Sequence, residues 1–135
     1  MPARAFLDTN VLIYTLAEND PRNARAEALL ATGGMISVQV LNEFTSVARK
    51  KLLLSWSEVR EAIDAFLVLC PNPLAITLES HEAAQAIAAK HSYGIYDALV
   101  IAAALEAGCS ILYSEDLQDG QCINGQLTIR NPFTP

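Results

Sequence analysis

The 135-residue sequence lacks the features that would assign a protein class at once. No apolar run approaches the roughly 20 residues that a membrane-spanning helix needs. No Walker loop, G-x-G-x-x-G motif or Ser-His-Asp set is present. Nine Lys and Arg face fifteen Asp and Glu, giving a net charge of −6. This balance argues against a protein that coats nucleic acid through bulk electrostatics, although an enzyme that binds nucleic acid locally stays compatible.

Cysteine is also scarce, with only Cys70, Cys109 and Cys122 in the chain. An odd number without C-x-x-C spacing is neither a disulfide framework nor a zinc site, and it suits a reducing compartment. Asp8 and Asn10 stand where a signal peptide needs apolar residues. We therefore expect a cytoplasmic protein with no membrane partner.

The chain does contain a regular alternation of short β-like segments with longer helical ones. The pattern predicts strands at residues 3–7, 35–38, 74–77, 109–113 and 127–130, and helices at residues 10–17, 21–31, 39–51, 55–70, 80–91 and 95–107. Ser55 and Glu58 form a capping-box pattern, Asp20 is a predicted N-cap before Pro21, and Gly108 is a predicted C′ residue. The length and the alternation indicate one α/β domain with a parallel sheet.

Four acidic residues stand beside apolar segments, where a carboxylate is costly unless something compensates it. Asp8 follows the first predicted strand and Asp116 the fourth, whereas Glu43 and Asp97 lie in the first two turns of helices. Active crevices of open α/β sheets lie outside the carboxyl ends of the strands, so we infer that the four acids converge. A divalent cation would relieve their repulsion, and oxygen ligands suit Mg²⁺ or Mn²⁺ better than zinc.

Each acid also has an ordinary structural interpretation. Asp8 and Asp97 could cap helices, Glu43 could be a solvated side chain, and Asp116 could be a turn residue. Asp119 is an equally acidic rival to Asp116 as a ligand. Because all four ordinary interpretations must hold independently, the set as a whole favours a metal site.

Two further polar groups accompany these acids. Thr9 and Asn10 directly follow Asp8, so they are placed to hold its carboxylate or a water molecule beside it. Residues 49–51, Arg-Lys-Lys, end the predicted helix that carries Glu43. Cations at that position suit the helix dipole, and contact with a phosphate group is the alternative interpretation.

Four segments of the chain together resemble one protein family: residues 7–13 (LDTNVLI), 40–44 (VLNEF), 96–104 (YDALVIAAA) and 112–120 (LYSEDLQDG). In this order they resemble the PIN-domain ribonucleases, and within them the VapC-like toxins of VapBC type II toxin–antitoxin systems. The resemblance covers essentially the full length, residues 1–135, as a single PIN domain. It implies a three-layer α/β/α fold with a central parallel sheet of four to five strands flanked by helices.

The same resemblance implies an activity, a cofactor and partners. The activity is hydrolysis of RNA phosphodiester bonds by an endoribonuclease that depends on Mg²⁺ or Mn²⁺. The partners are an RNA substrate, a cognate antitoxin whose tail blocks the active site, and a second copy in a homodimer or a larger assembly with the antitoxin. The implied catalytic and metal-binding residues are Asp8, Glu43, Asp97 and Asp116, and the implied supporting residues are Thr9, Asn10, Ser114 and Asp119.

Other functions have specific points against them. A haloacid dehalogenase-type phosphotransferase needs a second Asp two residues after the first, where this chain has Asn10. A response-regulator receiver needs paired acids at the first strand tip and a Lys after a late strand, yet the only Lys residues are Lys50, Lys51 and Lys90. The nearer alternatives are a catalytically silent PIN-like interaction module and a PIN nuclease that is not a toxin.

Overall fold

A computed structural model describes residues 4–134 of the chain. Short strands near the two ends of this range enclose a largely helical middle. In chain order the elements are β1 Ala5–Leu7, α1 Thr9–Tyr14, α2 Asn23–Ala31, α3 Val38–Lys50, α4 Trp56–Leu69, α5 Leu78–His91, α6 Ile95–Glu106, β2 Ile111–Tyr113, β3 Cys122–Ile123 and β4 Leu127–Arg130.

The strands form one sheet in the order β1-β2-β4-β3. β1 pairs with β2 and β2 with β4 in parallel, whereas β3 runs antiparallel to β4. Phe6, Leu112 and Ile129 stand in register across the three parallel strands, and all three side chains are fully buried. The sheet therefore places apolar side chains in the core and directs its parallel carboxyl ends to one edge.

The helices pack in two groups around this sheet. α1 contacts α2 and α3, and α3 and α2 contact α4, whereas α5 packs chiefly on α6, which also reaches β2. The fold is the predicted three-layer α/β arrangement. Among the described residues, no helix combines the length and the apolar character needed to cross a lipid bilayer.

Two predicted strands are reduced to single parallel bridges. Met35 bridges Phe6, and Ser37 bridges Leu74, so both segments extend the sheet beyond β1 without becoming regular strands. Ser37 already caps α3, where its side chain accepts a hydrogen bond from the Val40 N–H. Because Ser37 begins the next helix, too few residues of the segment remain extended to form a regular ladder of strand hydrogen bonds. The first predicted strand began at residue 3, which lies outside the described residues.

Strand β3 was not predicted. Cys122 and Ile123 pair back onto β4 through a turn in which Asn124 and Gly125 have φ of 54° and 65°. Asn and Gly adopt this left-handed backbone with least strain, which is why Asn-Gly pairs mark hairpin turns. The Asn-Gly pair was visible in the sequence, but a two-residue strand is too short to produce a hydrophobic period.

The helix ends test the capping predictions one by one. The capping box of Ser55 and Glu58 is present at α4, and Gly108 follows α6 with φ of 73°, so both predictions are confirmed. The predicted cap at Asp20 is wrong, because α2 starts at Asn23 after Arg22. Asp20 instead accepts hydrogen bonds from the backbone and side chain of Arg22.

Candidate active site

Asp8 connects β1 to α1 at the carboxyl edge of the sheet. Its backbone N–H donates to the Tyr113 carbonyl oxygen at 3.0 Å, which ties the ends of β1 and β2 together. Oδ1 accepts from the Thr9 N–H at 2.7 Å, and Oδ2 accepts from Ser114 Oγ at 2.7 Å. The residue is only 4% exposed. Asp8 is therefore both the helix cap that one interpretation predicted and a fixed carboxylate at the site.

Ser114 is the centre of the hydrogen-bond network behind this carboxylate. Its hydroxyl is fully buried and donates to Asp8. The same oxygen accepts from the backbone N–H of Asp116 at 3.1 Å and of Leu117 at 3.3 Å. It also accepts from Asn10 Nδ2 at 3.4 Å. One hydroxyl therefore holds the loop after β2 in a fixed position against the end of β1.

Asn10 links the same loop from the side of α1. Its Oδ1 accepts from the Glu115 N–H at 3.2 Å, and its Nδ2 donates to Asp116 Oδ2 at 3.3 Å. The side chain is buried, and the carboxylate that it orients is exposed. Asn10 and Ser114 thus contact Asp116 and Asp8, and their supporting role in the chemistry stays a prediction.

Glu43 and Asp97 approach from helices and have far fewer partners. Glu43 lies on α3, next to the buried Phe44 and one turn after the buried Val40, and its Oε2 accepts from Thr9 Oγ1 at 3.2 Å. Asp97 lies in the first turn of α6 and is half-buried. Within residues 4–134 the Asp97 carboxylate accepts no hydrogen bond. Helix packing alone positions it.

All four acids line one open cavity of about 380 Å³. The structure thereby brings together the four residues whose convergence the sequence could only suggest. Thr9 and Asn10 also line it, and Ser114 lies behind it. The remaining lining residues are Ile13, Tyr14, Val47, Lys51 and Leu52.

Burial and mutual repulsion raise the pKa of three of these carboxyl groups. Burial raises the pKa of Asp8 to about 6, against hydrogen bonds from Ser114 and Thr9 that lower it and neighbouring charges that raise it further. Burial and the charge of Asp8 raise the pKa of Glu43 to about 7. The pKa of Asp97 is raised by burial and by Asp116. The cavity is therefore a site of uncompensated negative charge.

A divalent cation fits the donor chemistry of this cavity. The donors are carboxylate oxygens, the ligands that Mg²⁺ and Mn²⁺ prefer. None of the four forms an ion pair with a cationic side chain in the described part of the chain. Among residues 4–134, however, no three Asp, Glu, His or Cys side chains are arranged to hold a metal ion. The donors match in type, and their side chains would have to move closer together to bind one.

Asp119 is the supporting residue that the structure does not bring to the cavity. Its Oδ1 accepts from the backbone N–H of Asn131 at 2.8 Å, and its side chain does not contribute to the lining. The position fits a loop-stabilising role. A contribution of Asp119 to the chemistry stays a prediction.

Tyr14 is a lining residue that sequence reasoning missed. The Arg22 guanidinium lies 4.0 Å from its ring centroid, and Arg22 also pairs with Glu115 at 2.6 Å. The Phe133 ring packs edge-on at 5.1 Å. Burial and Glu115 raise the Tyr14 pKa to about 12, so the phenol stays protonated. Its position next to Ile13, on the face of α1 that also presents Asn10, was the available signal.

The chain matches known proteins in family and in fold. A model of the PIN domain family matches residues 5–118. No curated protein sequence matches the chain. Among solved structures, VapC20 of Mycobacterium tuberculosis is similar with a TM-score of 0.66 and 22% identity, covering 83% of this chain and 89% of that one.

Two further structures share the fold. A toxin–antitoxin complex from Klebsiella pneumoniae is similar with a TM-score of 0.71 and 21% identity, covering 96% of this chain and 98% of that one. VapBC2 from Rickettsia felis, solved with a fragment of promoter DNA, has a TM-score of 0.67 and 18% identity, covering 94% and 97%. At these identities the likeness shows a common fold.

Proposed function

This chain belongs to the PIN-domain family, and we propose that it is a metal-dependent endoribonuclease, the toxin of a toxin–antitoxin pair. One observation carries the proposal. Four carboxylates line a single open cavity, and burial together with mutual repulsion raises the pKa of three of them. A fold seldom keeps such a cluster unless a ligand compensates it.

In the proposed reaction Asp8, Glu43, Asp97 and Asp116 would hold Mg²⁺ or Mn²⁺. Such a cation would supply activation of a water nucleophile at neutral pH and neutralisation of the charge on the phosphate. Ser114 and Thr9 fix both oxygens of Asp8, and Asn10 fixes one oxygen of Asp116. These contacts remove rotational freedom from two donors before any ligand arrives, which lowers the cost of binding.

The neighbouring structures support RNA as the substrate and a toxin as the class. VapC20 is described as a toxin that cleaves the sarcin–ricin loop, and another neighbour is described as a toxin–antitoxin complex. We propose the cytoplasm as the setting, where three free thiols such as Cys70, Cys109 and Cys122 persist.

The decisive experiment is a cleavage assay on the purified protein. RNA is incubated with Mg²⁺ or Mn²⁺ and, in parallel, with excess EDTA, and the cut sites are mapped. We expect cleavage at defined internal positions, abolished by EDTA and restored by added cation. Intact RNA under every condition, with a folded protein, would instead favour a catalytically silent interaction module. Undiminished cleavage in excess EDTA would contradict the proposed metal dependence.

The proposed partners are a cognate antitoxin and a second copy of the chain. A groove of about 550 Å³, lined by Leu and Ala side chains together with Glu58 and Glu61, adjoins the acidic cavity and shares Leu52 with it. Leu16 and Leu52 in this groove are partly exposed, and Leu53 beside it is 80% exposed. Exposed apolar surface of this kind marks interaction sites. We expect a small protein encoded beside this gene to co-purify with the chain and to block cleavage. Light scattering of the free chain tests the homodimer.

A further inference from the structure

Lys51 is the one cationic side chain that lines the acidic cavity within the described residues. It follows the last residue of α3, the helix that carries Glu43. Glu43, Val47 and Lys51 are spaced by four residues, and all three line the cavity. Residues spaced in this way lie on one face of a helix. α3 therefore presents a carboxylate and an ammonium group to the same cavity.

The two charged residues are well separated along the helix axis. Eight residues at a rise of 1.5 Å separate their Cα atoms by about 12 Å. Lys51 is exposed and forms no ion pair with any carboxylate in the described part of the chain. Its ammonium group is therefore available to a ligand that reaches beyond the four acids.

The neighbouring cations have other positions. Arg49 donates to the Leu54 carbonyl oxygen at 2.8 Å and lies 4.6 Å from the Trp56 ring centroid, which holds it in the α3–α4 turn. Lys50 is exposed and does not line the cavity. All three cations suit the helix dipole equally. Of these three cations at the end of α3, only Lys51 lines the cavity that contains the four acidic residues.

We propose that Lys51 binds a phosphate of the RNA beside the one that is cut, and so sets the position of the substrate in the cavity. The inference rests on the proposed nuclease function. Four carboxylates repel a polyanion, and a chain of net charge −6 offers it no general attraction. A cation on the rim of the cavity supplies local attraction without neutralising the ligands of a metal ion. The separation of about 12 Å along the helix between the Cα atoms places Lys51 toward a phosphate next to the one at Glu43.

A contact with one phosphate has a measurable salt signature. For single-stranded nucleic acid, each phosphate contact contributes roughly 0.7 to the slope of log affinity against log salt. Loss of one contact therefore weakens binding about fivefold at 0.1 M salt and about twofold at 0.4 M. A purely structural role of the side chain would change stability and leave this slope unaltered.

The test compares Lys51→Ala with Lys50→Ala, its matched neighbour outside the cavity, at constant Mg²⁺. We expect Lys51→Ala to raise KM for RNA about fivefold at 0.1 M monovalent salt and about twofold at 0.4 M, with kcat little changed. Lys50→Ala should match the wild type at both salt concentrations. Lys51→Arg keeps the charge and should restore most of the loss.

Binding measured without turnover separates this inference from the proposed function. In the Asp97→Asn background, RNA affinity is compared with and without Lys51→Ala, and circular dichroism verifies the fold of each variant. If the wild type cleaves RNA but Lys51→Ala equals Lys50→Ala in KM, affinity and salt slope, the role of Lys51 is overturned alone. If the wild type neither binds nor cleaves RNA, both proposals fall.

Discussion

The acidic cavity has two unlike halves. At the strand tips, Asp8 and Asp116 are held by a closed network through Ser114 and Asn10, with distances of 2.7 to 3.4 Å. On the helices, Glu43 has a single hydrogen bond, from Thr9, and Asp97 has none within residues 4–134. One half is fixed by a network of hydrogen bonds, and the other half is placed mainly by helix packing.

If the chain binds a cation as proposed, this difference predicts which carboxylates would move. The strand-tip carboxylates would keep their orientations, because each constrained oxygen would lose a hydrogen bond on moving. The helical carboxylates have only the one hydrogen bond from Thr9 to Glu43 and are repelled by their neighbours, so drawing them toward a cation would cost little. The absence of a ready-made metal geometry among the described residues fits this division.

The largest effect is expected from Asp97→Asn, in the loosely held half. The variant removes one carboxylate donor, and we expect cleavage to fall about 100-fold or more, because metal-ion catalysis supplies several kcal/mol. The fold should survive, since no hydrogen bond in the described residues depends on this carboxylate, and the relief of repulsion should raise Tm in metal-free buffer above pH 7. Asp8→Asn should abolish cleavage as well. Undiminished cleavage by either folded variant would contradict the proposed site.

The pH dependence of the metal-free protein tests the raised pKa values, first that of Asp8 in the strand-tip half. The folded pKa of Asp8 is raised from 3.8 to about 6, so the folded state binds more protons than the unfolded state between these values. Stability contributed by this group is therefore full below pH 4 and is lost as pH rises toward 6, by on the order of 3 kcal/mol.

Glu43, with a pKa raised to about 7, extends the loss to higher pH. We expect Mg²⁺ or Mn²⁺ to raise Tm at pH 8 more than at pH 5, because protons compete with the metal at the lower pH. Thermal unfolding with and without EDTA measures both trends. If the Tm of the metal-free protein increased between pH 5 and 8, the raised pKa values of Asp8 and Glu43 would be contradicted.

A smaller effect is expected when one hydroxyl group is removed from each half, and the two losses in the free energy of unfolding can be compared. Ser114→Ala leaves the backbone N–H groups of Asp116 and Leu117 without their acceptor and frees Asp8, so we expect a loss of about 1 to 3 kcal/mol. Thr9→Val removes the bond to Glu43 and the longer contact of 3.5 Å to the Val40 carbonyl oxygen, which share one hydroxyl proton, and should cost less than about 1 kcal/mol. Urea unfolding measures both. Equal losses would mean that the two halves are equally rigid.

The smallest effect is expected from Asp119→Asn, outside both halves. The variant weakens one hydrogen bond to the Asn131 backbone, so we expect a loss of at most about 1 kcal/mol in the free energy of unfolding. Cleavage and its Mg²⁺ dependence should stay near wild type, because this side chain does not line the cavity. A large fall in cleavage would restore Asp119 as a supporting residue.

Local chemistry made some elements predictable from the sequence. The Ser55 and Glu58 capping box, the glycine after α6 and β4 at Leu127–Arg130 depend on neighbouring residues, and all three are present. The strands at 35–38 and 74–77 shrank to bridges because caps of the following helices interrupt them. No local sequence pattern predicts where the cap of a following helix will end a strand.

The candidate site divides in the same way. The sequence singled out the four acids because each stands at the end of an apolar segment, and Asn10 because it follows Asp8, whereas Ser114 was implied by the family resemblance. It did not identify Tyr14 as a lining residue. For Lys51 it left two interpretations open, a favourable interaction with the helix dipole and contact with a phosphate group. Both residues lie on helix faces whose direction depends on how α1 and α3 pack.

The sequence by itself determined the alternation of elements, the family resemblance and the acidic residues at the strand ends, because these follow from periodicity, capping and local order. Only the tertiary structure decided that Asp8, Glu43, Asp97 and Asp116 share one cavity, that Asp119 lies outside it and that Lys51 lines it. The physical reason is that burial and electrostatic coupling act between residues up to about a hundred positions apart, at distances that only the packed sheet and helices set.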